Sequence, residues 1–219
     1  MARGPFDPDF GDLPVTLPIF PLPGVLLLPR GKLPLNIFEP RYLSMTQDAL
    51  QSDRLIGMVQ PRNADETGES PPVFPVGCAG RITSFSETDD GRYLITLSGL
   101  CRFRIERELP LISGYRRVVP DFKSYRADLD AATAPIERNR LIAALRGYLK
   151  QQSISADWDS IDGAPDERLV TTLSMICPFS TSEKQALLEA PCLGERAKVL
   201  ITLLEMATLA EAPEDAQRH

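Results

Sequence analysis

The single histidine of the chain is its last residue, His219, so a Ser–His or Cys–His pair, in which imidazole accepts the nucleophile's proton, has no internal base to draw on. Ser182 and Lys184 have the residue types of a serine–lysine couple. Two positions apart on a predicted helix, however, they point away from each other. Asp89-Asp90 and Glu106 with Glu108 have the composition of general acid–base pairs. The first falls in a predicted turn and the second on the outer face of a predicted strand, with no neighbours that would bury a carboxyl and shift its titration. Gly24 to Lys32 fails as a phosphate loop: six residues separate Gly24 from Gly31, no Ser or Thr follows Lys32, and Pro29 interrupts the backbone amides. No GxSxG elbow occurs. Cys78, Cys101, Cys177 and Cys192 form no C-x-x-C pair and have no histidine beside them, which argues against zinc and thioredoxin-like chemistry and for buried, reduced thiols. We expect no catalytic residue, no metal site and no cofactor.

Two binding signals survive. The first is apolar. Phe20 through Leu28, with Ile37, Phe38 and Tyr42, places large side chains around prolines that cannot donate to a sheet ladder, so that some of them could remain accessible and hold an apolar peptide. The residues singled out are Phe20, Leu22, Ile37, Phe38 and Tyr42; for any one of them, core packing is the ordinary fate. The second signal is a set of arginines on or beside predicted strands, chief among them Arg102, Arg104, Arg116 and Arg117, which would form a nucleic-acid face if they lay together. Interspersed Glu87, Glu106 and Glu108 and the scarcity of aromatics weigh against it.

These residues must be positioned by a β-rich segment followed by a helical one. Residues 1–12, rich in Pro, Gly and Asp, read as a flexible lead-in. From 13 to about 125 short strands dominate: Leu17 to Phe20, a second apolar run over Val25 to Leu28, Leu33 to Phe38, and a buried strand over Leu55 to Val59. A mobile loop over Arg62 to Pro72 precedes the clearest hairpin, 77–86 with 92–98 around Asp89-Asp90-Gly91. Strict alternation over Cys101 to Glu106 turns Cys101, Phe103 and Ile105 inward and Arg102, Arg104 and Glu106 outward, and Tyr115 to Pro120 is the last strand. One helix is inserted after Glu39, with Pro40 in its first turn, running to about Gln51. Many short strands and Gly/Pro turns favour a partly closed barrel over a parallel sheet. Over 126–212 the apolar period lengthens to that of a helical bundle, with helices at 135–151, 166–177, from Thr181 behind a Ser180–Glu183 capping box, and 194–210. Residues 213–219 read as a disordered tail.

With 219 residues, 43% of them hydrophobic, the chain can bury a full core. A net charge of −6 disfavours generic binding to nucleic acid or to anionic lipid. The apolar stretch Leu13 to Leu28 is preceded by Asp7, Asp9 and Asp12 and broken by prolines, unlike a signal peptide, and no run is long enough to span a membrane. A cytoplasmic location is expected.

The segment LPIFPLPGVLLLPRGKLPLNIFEPRYL, Leu17 to Leu43, resembles the opening of the Lon-protease N-terminal substrate-binding domain family. The resemblance continues through GCAGRITSF and GRYLITLSGLCRFRI, within Val76 to Ile105, and more weakly through the helical tail, covering roughly residues 13–210. It implies an α+β fold, a PUA-like partly closed β-barrel with one inserted helix and a C-terminal helical bundle. It also implies a non-enzymatic module that engages unfolded or misfolded protein segments, alone or on behalf of a protease. An RNA-binding PUA-like module using the arginine face is the alternative.

Overall fold

The computed structural model describes residues 8–63, 71–130 and 134–210. Its strands are β1 Leu17–Pro21, β2 Lys32–Ile37, β3 Leu55–Val59, β4 Val76–Glu87, β5 Tyr93–Ile112 and β6 Tyr115–Asp121, with helix α1, Pro40–Leu50, between β2 and β3. Helices α2 Arg138–Gln151, α3 Trp158–Gly163, α4 Asp166–Ile176, α5 Thr181–Glu189 and α6 Leu193–Ala210 follow, and 3-10 turns occupy Phe10–Asp12 and Lys123–Leu129. The predicted helices lie within a few residues of α1, α2, α4, α5 and α6. The short α3 and the 3-10 turn after β6 carry too few periodic positions to announce themselves.

The sheet order is β2-β5-β4-β3-β1-β6, with a further pairing between β6 and β5. All neighbours are antiparallel except β1 with β3. β5 makes this closure because it is long enough to serve twice: its first half pairs with β4 and β2, its second with β6, and Arg104 stands where the two halves meet, opposite both Val76 and Asp121. The sheet is thus a partly closed barrel with β2 left as an open edge.

What reads in the sequence as two strands, 92–98 and 101–106, is one. Gly99 lies between them, where Arg30 N–H donates to the Gly99 carbonyl (2.7 Å) and Gly99 N–H to the Gly31 carbonyl (2.9 Å). That is the pattern of a bulge at the start of β2, with Arg30 in the left-handed region at φ 62°. A Cβ on Gly99 would lie 2.0 Å from the Leu28 carbonyl oxygen, so the strand can pass here only as glycine. The expected strand over Val25 to Leu28 is not formed. Those residues are a loop, turned at Gly24 (φ 69°) and Arg30, whose Leu26, Leu27 and Leu28 are buried. The Asp89-Asp90-Gly91 turn forms as expected, Gly91 taking φ 79°.

Two apolar layers result. Leu17, Ile19, Leu55, Val59, Ala79, Cys101, Phe103 and Val118, one face of each of five strands, pack together inside the barrel, and Phe103 fills the space left where Gly57 and Gly77 lack side chains. The opposite face, with Ile56, Met58, Val76 and Cys78, packs with α1, the buried leucine loop and the bundle residues Leu141, Leu145, Val170, Leu187, Leu200 and Leu204. Strands and helices therefore share a core. Within the lead-in, residues 1–7 lie outside the described residues, while the Phe10–Asp12 turn carries an Asp9–Asp12 capping box and its Phe10 ring lies 5.0 Å beneath the Arg126 guanidinium. Of the expected loop over 62–72, residues 64–70 lie outside the described set, as do the 213–219 tail and His219.

Candidate functional site

The arginines do not make a surface. Arg102 is directly opposite Cys78 in the β4–β5 ladder, so it does leave the barrel interior as alternation requires, but the face it enters is covered by the turn between α5 and α6, and it is 3% exposed. Its Nε and Nη2 each donate to Asp128 at 2.8 Å, and Nη1 donates to the carbonyls of Leu188 (2.9 Å) and Ala190 (2.6 Å). Burial by itself would lower its pKa; the hydrogen bonds and charge of Asp128 outweigh that and raise it. Arg116 is buried as well, paired with Glu108 and donating to the Pro71 carbonyl at 2.7 Å. Arg117 is half-buried and reaches the Pro110 carbonyl, which leaves Arg104 as the exposed member of the four. The expected nucleic-acid face is corrected on this point: alternation tells which side a strand residue leaves by, and the bundle packed on that side makes it interior.

The apolar set divides in the same way. Phe20 and Tyr42 stack with ring centroids 4.1 Å apart, and both, with Ile37, are buried in the shared core. The Arg41 guanidinium lies 4.6 Å over the Tyr42 ring, and burial raises the phenol's pKa. These three hold the fold and are not available for docking. Leu22 is half-buried against the same core. Phe38 is the member that reaches solvent, 61% exposed at the end of β2.

Around Phe38 the β4–β5 hairpin adds what the sequence reading left out. Ile37 pairs with Tyr93 and Asn36 with Leu94, and Ser86 of β4 lies on the far side of Leu94. Phe38, Arg92 and Leu94 consequently share one face: the Arg92 guanidinium lies 5.9 Å from the Phe38 ring, and Leu94 is 45% exposed. On the other face Phe85, 44% exposed, meets the Tyr93 ring edge-on at 5.1 Å, and Gln47 of α1 donates to the Tyr93 hydroxyl at 2.6 Å. Beside Phe38 and Leu94 runs the open edge of β2, while Phe85 lies one strand further in, on the opposite face. Pro34 has no N–H to give β5, so it occupies a position whose backbone faces outward. By the two-residue alternation of an antiparallel pair, Lys32 and Asn36 face outward too. The edge therefore offers donor and acceptor at Lys32 and Asn36 with an acceptor alone between them. Rings and aliphatic carbon beside an unfilled ladder are suited to holding extended polypeptide and hold no acid, base or nucleophile set for covalent chemistry. Among the described residues no group of histidine, cysteine, aspartate or glutamate is placed to hold a metal, and no helix is long and apolar enough to cross a membrane.

Residues 16–206 match the family described as the ATP-dependent protease La (LON) substrate-binding domain. The chain belongs to that family. It is 26% identical to Lon protease 2 of Myxococcus xanthus over 199 residues, covering 88% of this chain and 24% of that one, and 25% identical to the Lon protease of Anaeromyxobacter dehalogenans, covering 88% and 23%. The chain thus spans about a quarter of the length of the curated relatives it matches. Its fold is that of the crystal structure of a Lon N-terminal domain protein from Xanthomonas campestris (TM-score 0.57, 21% identity, 90% of this chain and 99% of that one). The N-terminal domain of the Lon protease of the Mycobacterium avium complex shares it (TM-score 0.60, 18% identity, 86% and 97%). The fold class read from the sequence agrees with these neighbours, a mixed strand layer followed by helices. For this Lon substrate-binding domain, the signal that could have revealed Phe85 and Leu94 was the hairpin itself. Once Asp89-Asp90-Gly91 fixes the turn, counting back along the β5 arm places Leu94 beside the end of β2, and along the β4 arm places Phe85 one strand further in on the opposite face.

Proposed function

We propose that this Lon substrate-binding domain binds extended, apolar segments of unfolded or misfolded polypeptides, laid along the β2 edge and over Phe38 and Leu94, and that it does so in the cytoplasm in the service of proteolysis. The observation that carries the reading is the exposure of Phe38 at the end of an open strand edge. Main-chain bonds along β2 would supply affinity without reading sequence, while the aromatic and leucine side chains favour apolar clients. Membership of a substrate-binding family supports the same reading, and the burial of Arg102 and Arg116 in ion pairs removes the support for an RNA-binding alternative.

Fluorescence anisotropy of a labelled, extended apolar peptide tests it. Phe38→Ser should weaken binding about tenfold, the loss typical of truncating an exposed aromatic anchor, and leave the far-ultraviolet circular dichroism unchanged because the ring supports no core contact. Equal binding by parent and variant, or none by the parent, would overturn the assignment.

A further inference from the structure

The rim of this site is charged unevenly. Asp90 pairs with Arg92 at 2.8 Å and Glu39 with Arg41 at 2.9 Å, so the cations nearest Phe38 are already engaged by neighbours. Glu87 and Asp89 are not. Both are exposed, Glu87 across from Tyr93 on the face that carries Phe85 and Asp89 in the turn itself, and neither has an ion pair among the described residues. At the hairpin end of the patch four carboxylates thus accompany two guanidinium groups, and both uncompensated charges there are negative; the exposed Lys32 stands at the far end of β2.

We infer that the client segment this site takes, on the reading given above, is one whose apolar residues are flanked by lysine or arginine. A basic side chain emerging past the hairpin end from a peptide seated over Phe38 meets Asp89 in the turn, or Glu87 beyond it, without displacing an existing pair, whereas an acidic flank adds to the repulsion already present along Glu87, Asp89 and Asp90. The same argument applies to the aromatic surfaces. The Phe38 ring already lies within reach of a cation of the chain itself, the Arg92 guanidinium 5.9 Å from its centre, a contact an incoming guanidinium or ammonium can repeat. The net charge of the whole chain, −6, has the same sign and steers basic segments toward the molecule. The site therefore selects basic-flanked apolar polypeptide and rejects anionic partners.

Three extended peptides with an identical apolar centre, flanked by lysine, serine or glutamate, distinguish this selectivity from apolar docking in general when titrated against the full chain at low and high salt. The lysine-flanked peptide should bind about 5-fold more tightly than the serine-flanked one at low salt and the glutamate-flanked one more weakly than either, the differences closing at high salt. In the Glu87→Gln/Asp89→Asn variant the preference should disappear while the serine-flanked affinity stays as it was. Equal affinity for all three peptides would overturn the selectivity and leave apolar docking intact, as would a preference that survives in the variant. Failure of the parent to bind even the serine-flanked peptide would remove the docking site and the selectivity with it.

Discussion

At the scale of single residues, burial has silenced most of the groups that could react. Burial is the main cause raising the Cys101 thiol to about 12 and the Cys177 thiol to about 11, with the charge of Asp128 adding to it at Cys101; burial likewise raises Cys78 well above its ordinary value. In the unfolded chain these thiols lose their protons near pH ~8.5. Between that value and the folded ones the native state holds more protons than the unfolded state, so this stabilisation is complete below about pH 8.5 and declines as pH rises. Arg196 is held below its ordinary value, by burial first and then by the charge of Arg102, but a guanidinium keeps its proton through this range. The thiols therefore set the slope between about pH 8.5 and 10, opposed in part by Lys184, whose pKa burial lowers. Urea unfolding midpoints should fall steadily across that window, and less steeply in Cys101→Ala; a flat profile would refute the thiol account. Cys192 is the exposed cysteine and is the one we expect to react with a thiol reagent in the native protein.

At the scale of elements, the first strand connection is the part the sequence describes least well. The run Val25-Leu26-Leu27-Leu28 has the apolar continuity of a buried strand, and continuity by itself does not separate a strand from a buried loop. The loop is decided by contacts remote in sequence. Lys184 of α5 donates to the Gly24 carbonyl at 2.6 Å, and Arg30 pairs with Glu167 and donates to the carbonyls of Asp128 (2.7 Å) and Asp130 (3.0 Å). Gly99 lets this loop approach β5. Gly99→Ala should destabilise the protein by about 3 kcal/mol, at the upper end of ordinary single substitutions, because the clash is with backbone and not with a side chain that can turn aside. A denaturation curve that matches the parent would show that the bulge relaxes freely. The capping box is the contrary case: Ser180 and Glu183 were legible from four consecutive residues, and Ser180 N–H donates to Glu183 at 2.7 Å as the motif requires.

At the scale of the molecule, the barrel and the helices are joined through polar groups as well as through the shared core. Arg102 carries β5 to Asp128 in the segment after β6 and to the carbonyls that close α5, while Gln60 at the end of β3 receives no charge and instead donates to Gln185 at 3.1 Å. Removing one partner from a buried ion pair leaves the other charged and unsolvated, which costs about 3–5 kcal/mol. Arg102→Ala should therefore lower the stability of strands and helices together, in one transition seen alike by far- and near-ultraviolet circular dichroism. Two separate transitions, or a loss confined to the helical signal, would contradict the coupling.

The alternation of Cys101 to Glu106, the Asp-Gly turn, the proline at the head of α1 and the capping box are local facts, because each depends on a few neighbours in the chain, and from them the fold class and the choice of faces could be read. The fate of Arg102, Arg116, Phe20, Ile37 and Tyr42 depended on what packs over those faces, and that is set by segments remote in sequence, as when Arg102 reaches the Ala190 carbonyl 88 residues away. Phe38 alone of the apolar residues first singled out stays exposed because it lies one position past the last paired residue of an edge strand, where no second layer arrives. The periodicity of a sequence gives direction from the backbone, whereas exposure is a property of the whole packed structure.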